Sequence, residues 1–179
     1  MRIVAIADDD LKALEGLPES ADLLVSLGDV SNETILEAAS QTGAPRIFAV
    51  KGNHDSDADF PDGVIDLHRR AVRFQRWTFG GFGGCWKYKR KGHHLFEQEE
   101  VDLMLDGFPT IDIFIAHNSP AGVHERDDDV YRGFEAFTKL IEASEPYIFL
   151  HGHQHIQKNS RVEGTEVIGV FGNAVIDLK

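Results

Sequence analysis

Apolar and polar positions fall into blocks along the first third of the chain. Three apolar, β-branched runs predict buried strands at residues 2–7, 21–27 and 46–50. Helical patterns follow the first two runs, at residues 11–16 and 33–40, and Ser31 is suited to cap the second helix. Strands that alternate with helices in this way predict a βαβαβ unit with a mainly parallel sheet.

The pattern changes in the second third of the chain. Residues 64–67 and 71–81 carry shorter, partly alternating strands, and the glycines of residues 80–84 predict a turn. Further buried strands are predicted at residues 111–116 and 147–150. Helices are predicted at residues 97–105 and 133–143. A long polar loop is predicted at residues 118–132, and the last two strands, 165–170 and 174–178, are predicted to pair as a hairpin.

Length and composition fit one globular domain. The chain has 179 residues, 42% hydrophobic and 27% charged, which suits a single domain over residues 1–179 with a sizeable core. Together with the order of elements, this predicts the α/β (α+β) fold class. The sequence leaves a homo-oligomer open.

Composition also argues against several functions. No apolar run approaches the ~20 residues needed to span a bilayer, so no membrane partner is expected. Residues 1–6 run directly into acidic residues without a small-residue cleavage site, which argues against a signal peptide. The single cysteine, Cys85, is consistent with a reducing cytoplasmic location. A formal net charge of −12 disfavours nucleic acid as a partner, because backbone binding needs a basic surface.

Ligand-type side chains follow five of the predicted strands. They are Asp8 and Asp10, Asp29, Asn53 and His54, His117, and finally His153 and His155. Any one of them alone is better interpreted as a turn, cap or surface residue. Because parallel strands bring their carboxyl ends to one edge of a sheet, we expect these side chains to converge. Three carboxylates in one place would repel each other unless cations held them.

The donor types and their number indicate the kind of metal site. Mixed Asp, His and Asn donors suit Mn, Fe or Zn better than Ca or a thiolate site. About eight candidate ligands are too many for one ion and match two, as in the two-metal sites of phosphoester hydrolysis.

The order of these motifs resembles the calcineurin-like metallophosphoesterases, most closely their small single-domain prokaryotic members. The segments that carry the resemblance are Asp8-x-Asp10, Gly28-Asp29, Gly52-Asn53-His54-Asp55, His117-Asn118-Ser119-Pro120 and Gly152-His153-Gln154-His155. They cover nearly the whole chain. The resemblance implies a central β-sandwich of two mixed sheets flanked by helices, with two metals on the loops at one edge.

The resemblance also implies a ligand set. The first metal would be held by Asp8, Asp29 and His155, and the second by Asn53, His117 and His153, with Asp29 bridging the two. Asp10 stands where the family usually has His, and we expect it to ligate directly or through water; the alternative is a weak first site. An additional carboxylate favours Mn²⁺, ahead of Fe, Zn and Ni. Asn32 is a second departure, because many members have an acid there.

Phosphoester hydrolysis by a hydroxide that bridges the two metals is the expected reaction. A phosphodiester is favoured over a phosphomonoester because the resembled members often cleave diesters. His54 is expected to bind the phosphoryl group or to protonate the leaving group. Asp55 either orients His54 or serves as a turn acid. His151 is expected to orient the motif that follows it, whereas His68 and His124 are assigned to the surface.

A basic segment in an otherwise acidic chain is the candidate for binding a small phosphoester substrate. Its residues are Lys87, Tyr88, Lys89 and Arg90. The competing interpretation is a solvated charged face. Cationic and aromatic side chains together suit a phosphate or a stacked base.

Two other functions compete with hydrolysis of a small phosphoester. One is a non-catalytic binding or scaffold protein on the same fold with a degenerate metal site, which Asp10 and Asn32 favour. The intact His54, Asn53 and other histidines favour catalysis, because a scaffold has no physical need for them. The other is a nuclease, which the net charge disfavours.

Overall fold

The computed structural model describes residues 1–179 and contains two large mixed sheets and four α-helices. The helices are α1 Asp10–Leu14, α2 Asn32–Thr42, α3 Gln98–Leu105 and α4 Glu135–Ser144. The strands in the first half of the chain are β1 Arg2–Ala7, β2 Leu23–Ser26, β3 Ile47–Ala49, β4 Val64–Asp66, β5 Arg70–Phe74, β6 Trp77–Phe82 and β7 Cys85–Trp86. Those in the second half are β8 Leu95–Phe96, β9 Ile113–Ala116, β10 Ile148–His151, β11 Lys158–Val162, β12 Thr165–Gly169 and β13 Gly172–Asp177. A short 3-10 helix spans Asp129–Tyr131.

The first sheet has the strand order β13-β1-β2-β3-β4. Its four strands β1 to β4 are parallel, and β13 adds to the β1 edge in antiparallel orientation. The second sheet has the order β11-β12-β10-β9-β6-β5, with β6, β9, β10 and β12 parallel. Strands β7 and β8 form a separate two-stranded pair.

The two sheets pack face to face, and each carries two helices on its outer face. Alternate β1 residues Ile3, Ala5 and Ala7 join side chains of the second sheet, such as Ile113, in the central core. The β1 residues between them pack with α1 and α2 on the other side of the first sheet. A third apolar cluster lies between the second sheet and helices α3 and α4. Strands buried on both faces explain why the apolar runs are continuous rather than alternating.

This architecture confirms the predicted fold class, an α/β (α+β) fold with a central β-sandwich of two mixed sheets flanked by helices. Ser31 caps helix α2 as predicted, because its side chain accepts a hydrogen bond from the Thr34 amide, and Gly43 ends the helix in the left-handed conformation. None of the helices combines the length and the hydrophobicity that crossing a membrane requires.

The predicted C-terminal hairpin is wrong. Strand β12 belongs to the second sheet and pairs with β11 and β10, whereas β13 pairs with β1 in the first sheet. The hairpin partner of β12 is β11, which the sequence pattern missed because its side chains are largely exposed. The chain therefore passes from one sheet to the other between residues 169 and 172, and this crossing ties the two layers together.

The predicted turn at residues 80–84 is also partly wrong, since Gly80, Gly81 and Phe82 belong to strand β6 and pair with β9. A Cβ atom on Gly80 would lie 2.7 Å from the Phe108 ring, and one on Gly81 would lie 2.8 Å from Leu67 Cβ. Glycine is needed here for close packing against neighbouring side chains rather than for a change of chain direction.

Candidate metal centre

Three ligand-type side chains meet where strands of both sheets end. Asp8 follows β1, Asp29 follows β2 and His117 follows β9. One donor atom from each of the three lies within 4.8 Å of the other two. Because β1 and β2 belong to the first sheet and β9 to the second, the convergence joins two sheet edges. Sequence reasoning from parallel strands alone placed all of the ligands at one sheet edge, and the sandwich instead brings two edges together.

The backbone is strained at this edge. Asp8, Asp29, His153 and His155 have φ values of 66°, 55°, 64° and 50°, in the left-handed region that side chains with a Cβ seldom adopt. Each such residue costs of order 1–3 kcal/mol, and strain of this kind collects at functional sites. Four of the predicted metal ligands therefore sit in conformations that the surrounding structure must impose.

Two glycines leave room for the carboxylates. A Cβ atom on Gly52 would lie 2.1 Å from Asp29 Oδ1, and one on Gly152 would lie 2.9 Å from Asp8 Oδ2. Real side chains do not approach so closely. The glycines of the two motifs therefore allow the backbone to lie directly against the acidic groups.

Asp29 is held from several sides. Its Oδ1 accepts a hydrogen bond from the His54 amide at 2.8 Å, and its Oδ2 lies 3.4 Å from His117 Nε2. Its own amide donates to Asp55 Oδ2 at 2.9 Å, and the Gly52 amide donates to the same oxygen at 2.7 Å. Asp55 thus joins the two motifs through the backbone and makes no hydrogen bond to the His54 ring. The structure supports the turn-acid alternative for Asp55, and the predicted partnership with the His54 ring is not formed.

His117 is fully buried and has an acceptor at each ring nitrogen. Its Nδ1 lies 2.8 Å from the Leu27 carbonyl oxygen, and its Nε2 lies 3.0 Å from Asn53 Oδ1. A backbone carbonyl behind one nitrogen fixes the ring so that the other nitrogen faces the ligand position. Asn53 and His117, both predicted ligands of the second metal, are therefore in direct contact.

His153 is attached to the cluster through its backbone. Its amide donates to Asp8 Oδ2 at 2.8 Å, and its ring Nε2 lies 2.9 Å from the carbonyl oxygen of Val130. A proton on Nε2 that is donated to Val130 leaves Nδ1 as the nitrogen with a free lone pair. This is the arrangement in which a metal-ligating histidine donates its other N–H to a carbonyl.

His155, Asp10 and His54 lie at the margin of the cluster. His155 Nε2 is 4.0 Å from Asp8 Oδ1, and the His155 ring stacks on Phe171 at 5.2 Å between ring centroids. Asp10 is exposed, and its Oδ1 accepts a hydrogen bond from the Ser31 amide at 2.9 Å. The His54 side chain is exposed and forms no hydrogen bond. The structure therefore brings Asp8, Asp29, Asn53, His117 and His153 together, and it leaves Asp10 and His54 at the solvent side.

The pKa values of Asp8, Asp29 and His117 are shifted by burial and by the charges of neighbouring residues. Burial, together with the neighbouring Asp29 carboxylate, raises the pKa of Asp8 to about 7 against the opposing effect of His117. Burial opposes the charged form of His117, but Asp29, Asp8 and the Leu27 carbonyl raise its pKa to about 9. Burial also opposes ionisation of Asp29, yet His117 outweighs it and holds the pKa of that carboxyl well below its usual range. A divalent cation would compete with the protons on Asp8 and His117.

The predicted substrate-binding segment reaches the cluster through Tyr88. The Asn53 side-chain amide donates to the Tyr88 hydroxyl at 3.4 Å, and Lys89 Nζ lies 4.9 Å from the centroid of the Tyr88 ring. The Tyr88 hydroxyl is the main cause of a raised pKa for Lys89. Lys87 instead pairs with Glu97 at 3.1 Å. Arg90 is exposed and forms no hydrogen bond or ion pair. Tyr88 therefore borders the cluster through Asn53, and Lys89 lies against Tyr88.

The prediction that His124 lies on the surface is wrong. His124 is buried, and its Nδ1 lies 2.9 Å from His151 Nε2 while its Nε2 lies 2.8 Å from Ser160 Oγ. His151 Nδ1 lies 2.9 Å from the Gly152 carbonyl oxygen, directly before the His153 motif. His68 is half-buried and accepts a hydrogen bond from the Gly83 amide. No local pattern in the sequence marks a contact between residues 27 positions apart.

Sequence reasoning also missed Tyr131 and Arg126. The Tyr131 ring lies 5.6 Å from the His153 ring and 6.2 Å from the His155 ring, centroid to centroid. The Arg126 guanidinium lies 4.1 Å from the centroid of the Tyr131 ring. Both residues belong to the polar loop predicted at residues 118–132, and the length of that loop was the signal that it is functional.

Comparison with known proteins identifies a protein family that matches this chain. The model of the calcineurin-like phosphoesterase superfamily domain matches residues 1–174 of this chain. No curated protein sequence matches the chain.

Solved structures with the same fold are distant in sequence. The protein TT1561 of Thermus thermophilus has a TM-score of 0.63 at 16% identity, covering 94% of this chain and 88% of its own. The phosphopantetheinyl hydrolase PptH from Mycobacterium tuberculosis has a TM-score of 0.64 at 13% identity, covering 94% and 89%. Vps29 of Entamoeba histolytica, solved with zinc, has a TM-score of 0.51 at 11% identity, covering 94% and 73%. These likenesses describe the shared fold.

Proposed function

This chain belongs to the calcineurin-like phosphoesterase superfamily, and on that premise we propose that it is a dinuclear metal-dependent phosphoesterase. The proposed substrate is a small phosphodiester, with a phosphomonoester as the second choice. The observation that carries the proposal is the convergence of Asp8, Asp29 and His117 within 4.8 Å at the joined edges of two sheets.

The residues present fit a pair of metal ions. Asp8, Asp29 and His155 would hold the first, while Asn53, His117 and His153 would hold the second, with Asp29 shared between them. Carboxylate, amide and imidazole donors suit Mn²⁺, and the glycines at residues 52 and 152 leave space against the carboxylates. Asp10 is proposed as a further contributor through water, because its carboxylate already accepts the Ser31 amide. When bound, the metals would make a water nucleophilic at neutral pH and neutralise phosphoryl charge.

The protein's own groups have separate tasks in this proposal. Asn53 contacts both His117 and Tyr88, so it links the ligand cluster to the segment that borders the substrate. His54 projects into solvent beside Asp29, because its backbone amide is bound to the Asp29 carboxylate. From there its ring is proposed to donate a proton to the leaving oxygen. Asp55 holds the backbone that places His54.

Metal content and turnover together test the proposal. The wild type, loaded with Mn²⁺, is assayed with bis(p-nitrophenyl) phosphate, p-nitrophenyl phosphate and single-stranded DNA. We expect the diester to be hydrolysed fastest and bound metal to approach two ions per chain. Asp29→Asn should lose metal and activity, whereas Asp106→Asn, the same change at an exposed acid at the end of α3, should change neither.

His54 is tested separately from metal binding. His54→Ala should keep the metal content and lower kcat by about 10²-fold or more, the usual contribution of a proton donor. Unchanged turnover of the diester would remove His54 from the mechanism. A wild type that binds no metal and hydrolyses none of the three substrates would favour the scaffold alternative instead.

A further inference from the structure

Arg126 is an unpaired cation beside the ligand motif. Arg2 and Arg132 pair with carboxylates of the protein, but Arg126 has no carboxylate within ion-pair distance. This is unexpected in a loop with acidic residues on both sides. The guanidinium instead lies over the Tyr131 ring, at 4.1 Å from its centroid.

The acidic neighbours of Arg126 are mostly engaged elsewhere. Glu125 accepts a hydrogen bond from the Gly133 amide at 2.7 Å, and Asp128 accepts one from the Val130 amide at 3.1 Å. Asp129 receives the Trp86 indole N–H at 3.4 Å. Asp127, which directly follows Arg126, is exposed, and neither it nor the other three carboxylates forms an ion pair with the guanidinium, whose N–H donors are therefore free to bind an anion from outside the chain.

Tyr131 holds this cation in place because the ligand motif itself fixes the position of Tyr131. The Gln154 side chain donates to the Tyr131 carbonyl oxygen at 2.8 Å, and His153 Nε2 lies 2.9 Å from the carbonyl oxygen of the preceding residue. Gln154 lies between the two motif histidines and is buried. The position of Arg126 is therefore coupled to the same segment that supplies two proposed metal ligands.

Arg126 lies near the margin of the metal centre. The Tyr131 ring that its guanidinium covers also lies 6.2 Å from the ring of His155, a proposed ligand, centroid to centroid. Yet Arg126 is exposed and lies outside the cluster of Asp8, Asp29 and His117. An anion bound by Arg126 would therefore lie beside the phosphoryl group at the metals, as a second group of the same substrate.

We propose that Arg126 is a specificity residue that binds a second phosphate of the substrate, next to the scissile phosphoester. The inference rests on the proposed function and narrows it to phosphoesters that carry an additional phosphate. Guanidinium suits this task because its planar fork of N–H donors matches phosphate oxygens.

Two chromogenic esters that differ by one phosphate test this proposal. Thymidine 5′-(p-nitrophenyl phosphate) and its 3′-phosphorylated derivative have the same scissile bond and the same leaving group. With the Mn²⁺-loaded full chain, we expect kcat/KM for the derivative to be about tenfold higher, the scale of one charge-assisted hydrogen-bonded contact. Arg126→Gln should abolish this ratio, and Arg126→Lys should keep part of it.

Arg73→Gln is the matched control, because Arg73 is also exposed and unpaired but lies on β5. It should leave both esters unchanged. Thermal unfolding of each variant verifies that it is folded. No preference for the derivative in the wild type, or an equal loss on both esters in Arg126→Gln, would overturn the assignment.

A binding measurement separates failure of this inference from failure of the proposed function. Isothermal titration calorimetry compares thymidine 3′,5′-bisphosphate with thymidine 5′-monophosphate. If the wild type hydrolyses neither ester, the proposed function fails, and Arg126 is judged by binding alone. Tighter binding of the bisphosphate that disappears in Arg126→Gln supports the assignment, and equal binding of both nucleotides refutes it.

Discussion

Gly52→Ala is expected to damage the metal centre by displacing one carboxylate. The new Cβ atom would lie 2.1 Å from Asp29 Oδ1, 2.5 Å from Asp29 Cγ and 2.7 Å from the Asp29 amide nitrogen. Gly52 does not adopt a positive φ, so alanine meets no conformational penalty of its own. The effect of the substitution therefore acts through space, on Asp29.

The size of the effect follows from these distances. Carbon and oxygen atoms in contact lie about 3.5 Å apart, so the carboxylate and its backbone must move by roughly 1 Å or more. Overpacking of this kind costs about 1–3 kcal/mol of stability, which for a chain of this length lowers Tm by roughly 2–12 °C. A misplacement of about 1 Å in a catalytic arrangement can lower activity by about 10²-fold.

Metal titration, thermal unfolding and diester turnover measure the three consequences. Gly164→Ala is the control, because its Cβ atom would meet only Glu145 Oε2, at an ordinary 3.5 Å. We expect Gly52→Ala to remain folded, to bind metal more weakly and to lose about 10²-fold in kcat/KM. If Gly52→Ala binds metal and turns over diester as the wild type does, Asp29 is not at the centre of the reaction.

Three further predictions concern protons and the Asp10 position. Metal affinity should rise between pH 6 and 9, because Asp8 and His117 release protons with pKa values of about 7 and 9. Calorimetry in buffers of different ionisation enthalpy should show roughly one to two protons released at pH 7. A pH-independent metal affinity would contradict this prediction. Stability should fall below pH 6.5, because burial lowers the pKa of His151 to about 3 and the unfolded chain binds the proton that the folded chain excludes. This group contributes about 2 kcal/mol of loss between pH 7 and 5. Urea unfolding with metal chelated isolates it as the difference in pH dependence between the wild type and His151→Gln, and an equal pH dependence of the two would refute the neutral, buried state of His151. Asp10→Ala should weaken the first metal, and Asp10→His should restore it; full metal occupancy in the alanine variant would end the ligand role of Asp10.

Much of the fold was predictable because its signals are local. Ser31 and Gly43 mark the ends of α2 through hydrogen bonds and a backbone conformation that involve only neighbouring residues. The strands that are buried on both faces are also recognisable locally, because each of them is a continuous run of apolar residues. The exposed strand β11 and the glycine-containing end of β6 lack that local signal, and both were missed or assigned to a turn.

Strand pairing was less predictable because it depends on partners far away in the chain. Strands β12 and β13 are consecutive and separated by a short connection, which favours a hairpin. Strand β12 instead pairs with β10 and β11 in the second sheet, and β13 pairs with β1 in the first. This pairing is favoured over a hairpin because it buries a core between the two sheets.

The residue types that end each strand can be identified from the sequence, because those positions directly follow the apolar runs. Asp8, Asp29, Asn53, His117 and His153 could therefore be named as one constellation. Their distances and contacts depend on the tertiary structure, which joins the edges of two sheets and places Asp55 against backbone amides. It also brings Arg126 onto Tyr131, a contact between loop residues that no periodicity encodes. Ligand chemistry follows from residue identity, whereas distance and charge balance arise from contacts between distant parts of the chain.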